Sequence, residues 1–104
     1  MRDPKRGEVW LADLGIAAKV RPVLVISAPF SDKDYALVGV IPHTTTPRDT
    51  QFEVRLDLRW LQPGAFNIQG LLVVPHAKFI RKLGTLNKEE FEEIEAVVRK
   101  WLVL

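Results

Sequence analysis

Residues 20–27 (VRPVLVIS), an apolar and β-branched run with one proline near its start, decide the fold. Branched side chains pack well on a pleated surface, so this run predicts a central strand. Pro22 has no N–H group and fits only near the start of such a strand or at a bulge. On its N-terminal side, residues 8–13 (EVWLAD) alternate polar and apolar side chains, which is typical of a half-buried strand. The chain therefore begins as β structure.

Three later segments also predict strands. Residues 35–41 repeat the apolar pattern and stop at Pro42, and residues 69–74 do the same before Pro75. Residues 51–56 (QFEVRL) alternate cleanly, which places their apolar side chains on one face. The segments between the strands are rich in turn residues and predict loops at 28–34 and 44–50, a turn at 62–65 and a short helical turn at 57–61.

One amphipathic helix is predicted at the end of the chain. Asn87 is a good N-cap, and Glu90 three residues later completes a capping-box pattern. Acidic residues fill the first turns and Arg99 and Lys100 the last, which suits the helix dipole. The apolar residues that follow recur at helical spacing on one side: Phe91, Ile94, Val97, Val98, Trp101 and Leu102.

A chain of 104 residues that is 47% hydrophobic and 27% charged fits one globular domain, residues 1–104. Several short strands followed by one helix predict a mainly β domain with some α structure. The architecture we expect is a small twisted barrel of about five to seven strands with the C-terminal helix packed on it. Such a body is too small to enclose a pocket, so a functional site should lie in a surface groove or at a subunit interface.

The composition excludes several kinds of site. The absence of cysteine excludes disulfides, thiolate metal sites and a cysteine nucleophile, and two histidines cannot form a histidine-rich zinc centre. We therefore expect no metal and no cofactor. No apolar run approaches the roughly 20 residues that a bilayer span needs, and the charged N-terminus has no signal-peptide core behind it. These features favour a cytoplasmic protein without a membrane contact.

The formal net charge of +2 is too small to identify a nucleic-acid binder, but its distribution is uneven. Residues 87–104 carry three basic and five acidic side chains, whereas the preceding 86 residues carry 12 basic and 8 acidic ones. The positive charge therefore belongs to the β body, at +4, and the negative charge to the helix, at −2.

Several motifs, in this order and over nearly the whole chain, resemble the MazF/PemK-type toxins of bacterial toxin–antitoxin modules. The most specific are Arg-Pro-Val-Leu-Val at 21–25 and Pro-x-Thr-Thr at 42–45. The resemblance also includes GEVWLADL at 7–14, FEV at 52–54, PGAFNIQG at 63–70 and KFIRKLGTL at 78–86. It implies an SH3-like barrel, a homodimer, and sequence-selective, metal-independent cleavage of single-stranded RNA. It also implies a cognate antitoxin protein, of MazE or PemI type, that occupies the RNA site.

In that family the arginine of the Arg-Pro motif and the threonine of the Pro-x-Thr motif are catalytic, which implies these roles for Arg21 and Thr44. RNA supplies its own nucleophile, the 2′-hydroxyl, so the enzyme has to align oxygens, move protons and neutralise charge on the phosphate. An arginine suits the phosphate because its planar fork holds two oxygens, but it is a poor base. The expected products are a 2′,3′-cyclic phosphate and a 5′-hydroxyl end.

The general base is less well defined. A plasmid-borne branch of the family uses an arginine and an aspartate on the fifth strand, and the matching positions here are Val73 and Pro75, which cannot move a proton. His43, next to Thr44, and His76 both have a suitable ordinary pKa near 6.5. We favour His43 because of its position. A second departure from the family is the short connection at residues 15–19, which indicates an open groove without a gating loop.

The remaining polar candidates would hold RNA phosphates or bases: Lys19, Thr45, Thr46, Arg48, His76, Lys78 and Arg81. Trp60 and Phe66 flank a turn and are predicted to contact a partner protein, whereas Trp10 and Trp101 fit the core.

Two other functions remain open. One is a non-catalytic toxin on the same barrel that inhibits DNA gyrase, and the other is a nucleic-acid or protein adaptor with a degenerate site.

Overall fold

The computed structural model describes residues 3–15 and 19–104, and within those ranges it contains seven strands and one α-helix. Two 3₁₀ turns, Ile68–Gly70 and His76–Lys78, flank the sixth strand. The elements are β1 (Glu8–Asp13), β2 (Val20–Val25), β3 (Leu37–Thr44), β4 (Glu53–Val54), β5 (Ala65–Asn67), β6 (Leu72–Pro75), β7 (Phe79–Thr85) and α1 (Lys88–Leu102).

The strands form one antiparallel sheet in the order β4-β5-β3-β2-β1-β7, and β6 also pairs with β3. The predicted fold class is confirmed: the chain is mainly β, its strand count lies within the expected range, and one helix follows the strands. Within the described residues the outer strands β4 and β7 do not pair with each other, so the expected barrel is an open one.

The strand β3 extends past the predicted stop at Pro42 and ends at Thr44. On one edge it pairs with β2, and on the other it pairs first with β6, up to Val40, and then with β5, from His43 onward. Residues 41 and 42 lie in the gap between β6 and β5. A strand tolerates proline where no N–H is needed for a ladder, and the gap supplies such a place.

Other boundaries also differ from the predictions. The strand expected over residues 51–56 is reduced to Glu53–Val54, because the backbone before it forms a turn in which Glu53 N donates to Thr50 O. The expected helical turn at 57–61 is a simple turn, closed by Leu61 N and Leu58 O. Two strands were not predicted. β5 begins inside the expected turn at 62–65, and β7 has register shifts against β1 that interrupt its alternation.

The sheet packs on both faces. One cluster lies between the sheet and α1 and includes Leu24, Ile41 and Ile94, while a second lies on the other face around Trp10 and Val40. Trp10 is therefore a core residue, as predicted. The prediction for Phe66 was wrong: it is 1% exposed and belongs to the first cluster, because it lies on the strand that the sequence reading missed. Trp60 remains partly exposed.

The helix begins as predicted. Asn87 Oδ1 accepts a hydrogen bond from Glu90 N at 2.8 Å, and Asn87 N donates to Glu90 Oε1 at 2.8 Å. This reciprocal pair is a capping box, which satisfies backbone N–H groups that have no partner inside the helix. The helix then ends at Leu102, where Val103 adopts a left-handed conformation.

A buried carboxylate joins β1 to β7. Glu8 is 5% exposed, and its Oε1 accepts hydrogen bonds from Trp10 Nε1 and Lys5 N, each at 2.9 Å. Its Oε2 lies 3.1 Å from Lys82 Nζ on β7. Burial alone would raise the pKa of Glu8, but the bonds from Trp10, Lys5 and Lys82 together outweigh it and lower the pKa below its ordinary value.

We expect Glu8→Gln to destabilise the fold by about 1–3 kcal/mol near neutral pH, because a neutral amide replaces the buried carboxylate that pairs with Lys82 and accepts from Trp10 and Lys5. A carboxyl whose pKa is lowered on folding stabilises the protein above its unfolded pKa, and this contribution is lost as the pH falls through the folded pKa. Denaturant unfolding of both proteins from pH 7 to pH 3 should therefore show the difference shrinking in acid. A difference that is independent of pH would contradict this account.

Candidate functional site

A surface groove at the C-terminal end of β3 collects the three residues predicted to be catalytic. Its first part, the arginine cleft, has a volume of about 340 Å³. Arg21, His43 and Thr44 all line it, and they come from two neighbouring strands. The other lining residues are Leu14, Pro42, Asn67, Gly70 and Leu72. A surface groove is one of the two places, with a subunit interface, that the size of the domain leaves for a functional site.

Arg21 reaches the arginine cleft from β2, where it pairs with Ala12 of β1 and is exposed. The connection between these strands is closed by backbone bonds: Leu14 N donates to Lys19 O, and Lys19 N to Gly15 O. Lys19 itself has φ 54°, a left-handed conformation that reverses the chain. The expectation of an open, ungated groove concerns residues 15–19, of which 16–18 lie outside the described residues.

The Thr44 hydroxyl is oriented by its own loop. Its Oγ1 accepts a hydrogen bond from Thr46 N at 3.1 Å and lies 3.3 Å from Thr46 Oγ1. An oxygen that accepts a backbone N–H keeps its own proton for donation. Thr44 can therefore donate its proton either to Thr46 Oγ1 or to an anion in the arginine cleft.

His43 also lines the cleft, but its ring is directed toward the interior. Successive residues of a strand face opposite sides, and here Pro42 and Thr44 are partly exposed while His43 is 4% exposed. Its imidazole packs edge-on against Phe66, with ring centroids 5.0 Å apart. Burial lowers the pKa of His43, because the charged ring would lose hydration, so the imidazole is neutral at pH 7.

Gly64 allows the β5 strand to approach this end of β3. A Cβ atom at position 64 would lie 2.0 Å from Thr44 O and 2.8 Å from His43 Cε1. Neither contact is possible for a real side chain, and the first involves backbone that cannot move aside cheaply. The glycine therefore fixes the wall of the groove that carries His43 and Thr44.

The groove continues past Thr44 into a second part, the amide cleft. It is lined by Thr44, Thr46, Arg48, Thr50, Glu53, Asn67 and Gln69, and it shares Thr44 and Asn67 with the arginine cleft. The Glu53 carboxylate organises its loop: Oε1 accepts from Thr50 N at 2.9 Å, and both oxygens lie 3.1 Å from Arg48 N. Three of the predicted RNA-binding or catalytic residues thus meet here, namely Thr44, Thr46 and Arg48.

The structure places other predicted residues outside the groove. His76 follows β6 at the opposite end of β3, about 20 Å from His43 at the usual rise of a strand. Its ring contacts Phe30 edge-on, and its Nε2 lies 3.0 Å from Asp3 Oδ1 without hydrogen-bond geometry. Lys78 lies in the following 3₁₀ turn, and Arg81 lies on β7 opposite Leu11. Neither basic residue lines either cleft, and Thr45 does not either.

Several groove residues were not singled out from the sequence, and three of them lie close together in the chain: Asn67, Gln69 and Gly70. They lie within the stretch 63–70 that carries part of the family resemblance, which was the one signal available. Their place in the site depends on the pairing of Asn67 with Glu53, a contact between distant parts of the chain.

Two further features concern metal binding and membrane spanning. In the described part of the chain, no three or more His, Asp or Glu side chains gather into a group that could hold a metal ion. Within the same ranges, no helix has the length and apolar character needed to cross a membrane.

Comparison with known proteins gives the fold a context. The chain is similar to a mycobacterial endoribonuclease solved with its cognate antitoxin, with 24% identity, a TM-score of 0.83, and coverage of 97% of this chain and 96% of that one. It is also similar to a chain of a MazE–MazF complex from Deinococcus radiodurans, with 18% identity, a TM-score of 0.84, and coverage of 100% of this chain and 99% of that one. It is similar as well to the Mycobacterium tuberculosis toxin MazF-mt6, with 25% identity, a TM-score of 0.80, and coverage of 93% of this chain and 97% of that one.

No curated protein matches the chain significantly. The model of one protein family, described as the PemK-like, MazF-like toxin of type II toxin–antitoxin systems, matches residues 5–102. That match covers all of the strands, the helix and both clefts of the groove. The chain therefore belongs to the PemK-like, MazF-like toxin family.

Proposed function

We propose that this toxin is an endoribonuclease that cleaves single-stranded RNA with sequence selectivity and without a metal ion. The observation that carries the proposal is the meeting of Arg21 and Thr44 in one open groove, since two phosphate-binding side chains from different strands face the same space. An RNA strand supplies the nucleophile, its own 2′-hydroxyl, so the protein needs only to position and stabilise the phosphate.

In this mechanism Arg21 and Thr44 both bind the phosphate, each through different contacts. The guanidinium of Arg21 binds the non-bridging oxygens and stabilises the negative charge that grows as the 2′-oxygen attacks. The Thr44 hydroxyl, held by Thr46 N, donates a hydrogen bond to the same group. The 2′-oxygen loses its proton and forms a bond to phosphorus, the bond to the 5′-oxygen breaks, and that oxygen takes a proton from the solvent in the open groove. The products are a 2′,3′-cyclic phosphate and a 5′-hydroxyl.

We propose His43 as the acceptor of the 2′-hydroxyl proton. It is the titratable side chain that lines the arginine cleft beside Arg21, and its neutral imidazole can accept a proton. The inward direction of its ring favours a competing role, in which His43 only supports the wall under Thr44. A substitution that keeps the packing and removes the nitrogens separates the two roles.

The comparisons support the substrate and the partner. Among the similar structures are proteins named as endoribonucleases, one of them bound to its cognate antitoxin. We propose that this chain likewise binds a cognate antitoxin of MazE or PemI type, that it forms a homodimer, and that it acts in the cytoplasm, where messenger RNA is translated. Of the predicted RNA contacts, we propose that Thr46 and Arg48 contact the RNA inside the groove; Lys19, Thr45, His76, Lys78 and Arg81 line neither cleft and would contact only RNA that extends beyond it.

We expect Arg21→Ala and Thr44→Val to reduce cleavage of a long RNA in EDTA by about 100- to 1000-fold, the range for losing a transition-state donor. Gel analysis of the fragments, with end-group mapping for cyclic phosphates, measures this. Thr44→Ser should keep much of the activity because it keeps the hydroxyl. Arg59→Ala, which removes the same charge from an exposed arginine that lines neither cleft, is the matched control. Intact RNA with wild-type protein and no antitoxin would refute the proposal.

If His43 is the base, kcat/KM of the wild type should fall as the pH drops through the lowered pKa of His43 and stay level above it. The reason is that only the neutral ring accepts a proton. His43→Phe fills the same space beside Phe66, so it should lose about 100-fold or more in rate together with the acidic limb of the pH profile. Wild-type rates in His43→Phe would assign His43 to packing alone.

A further inference from the structure

We propose that the amide cleft binds the nucleobase next to the scissile phosphate, and that Asn67, Gln69 and Glu53 select a base with an exocyclic amino group over uracil. The inference rests on the proposed cleavage of RNA and extends it to the choice of sequence. Thr44 and Asn67 line both clefts, so a nucleotide beside a phosphate held in the arginine cleft would place its base in the amide cleft.

The side-chain amides in this cleft are available for a ligand. Among the described residues, no hydrogen bond engages the side-chain amide of Asn67 or of Gln69, although both line the groove wall. Each amide presents one acceptor and two donors at its tip, which matches the mixed edge of a base. A phosphate, which only accepts, would leave the carbonyl half of each amide without a partner.

The position of Asn67 is fixed by its neighbours. A Cβ atom at position 70 would lie 3.1 Å from Asn67 Nδ2 and 2.8 Å from Pro42 Cγ, so Gly70 leaves the space in which this amide sits. Asn67 also closes the ladder with β4, where its register partner is Glu53. The Asn67 amide and the Pro42 ring therefore lie against the same glycine, and a side chain at position 70 would displace both.

The Glu53 carboxylate determines what kind of group the cleft accepts. Its negative charge offsets the positive charge of Arg48, which lines the same cleft, so the amide cleft has no excess positive charge to attract a phosphate. Two backbone N–H groups use part of its capacity, with Oε1 engaged by Thr50 N and Arg48 N. A carboxylate has about four lone-pair positions, so Oε2, which is shared only with Arg48 N at 3.1 Å, can accept one more donor. The exocyclic amino groups of adenine, cytosine and guanine are such donors, whereas uracil has none.

The test is the sequence profile of cleavage. Wild type, Asn67→Ala, Gln69→Ala and Glu53→Gln are incubated with an RNA library randomised around one site, and the new 5′-hydroxyl ends are sequenced. We expect wild type to prefer amino-bearing bases at one position beside the cut. Each variant should relax that preference by roughly 5- to 150-fold, the worth of one base contact, with other positions unchanged. Gln62→Ala, an exposed amide that lines neither cleft, is the matched control.

Other outcomes overturn the inference. It fails if the folded variants cleave with the wild-type profile, if they lose selectivity equally at every position, or if wild type prefers uracil at the affected one. A separate readout is binding of the same sequences carrying a 2′-deoxy nucleotide at the cut, which cannot react. If the protein cleaves no RNA but binds the unreactive RNA with a base preference, and Asn67→Ala and Gln69→Ala abolish that preference, the proposed nuclease activity is refuted and the inference about the amide cleft stands. Binding of the unreactive RNA without any base preference would refute the inference.

Discussion

The groove depends on the way β3 shares one of its edges between two strands. β6 pairs with its first half and β5 with its end, and residues 41 and 42 between them have no partner on that edge. Pro42 fits this gap because it has no N–H to lose, and the gap leaves room for the turn Ile68–Gly70 to pass close over the proline ring. A sheet continuous along this edge would place a strand where the groove now lies. The sequence predicted that Pro42 ends a strand. It instead lies inside β3, at the point where the partner on this edge changes from β6 to β5.

The loop after Thr44 is held by polar contacts rather than by a core. Its anchor is the Glu53 carboxylate, which accepts two backbone N–H groups. The ion pair between Arg55 and Asp49 is well exposed on both sides and contributes little. Bonds from a charged acceptor to N–H groups are stronger than neutral ones, so one side chain can shape a short loop that buries little apolar surface. The same Glu53 carboxylate also lines the amide cleft, where it is an acceptor of hydrogen bonds.

The sequence predicted well whatever depends on local patterns. The runs in β1 and β2 and the capping box of α1 are local signals, and the structure confirms them. β5 was missed because it is three residues long and follows Pro63 and Gly64, which are turn formers. β7 was missed because shifts in its register against β1 disturb the alternation of its side chains. Short strands of this kind form because a neighbouring strand offers an unpaired edge. The residues of the segment itself carry no pattern that predicts this pairing.

The same distinction applies to the groove. Arg21 and Thr44 could be named from motif resemblance, and the fold brings them to one cleft. Adjacency in sequence was less informative for His43, because neighbouring residues of a strand face opposite sides, and its ring packs on Phe66. Asn67 and Gln69 gave no local signal, since an amide near a turn is common. Their significance comes from the register of β5 against β4, which is a property of the folded chain.

Net charge describes this protein poorly because much of its charge cancels in local pairs. Arg6 is paired with Glu95 on the helix, Arg55 with Asp49, and Lys82 with the buried Glu8. Each of these pairs sums to zero, so the total of +2 comes from side chains outside them. A bound phosphate would respond to the charges that line its cleft, with the rest screened over about 8–10 Å at ordinary salt. The contrast that matters is therefore between the two sides of Thr44: Arg21 lines the arginine cleft, whereas Arg48 lines the amide cleft together with the Glu53 carboxylate and two side-chain amides.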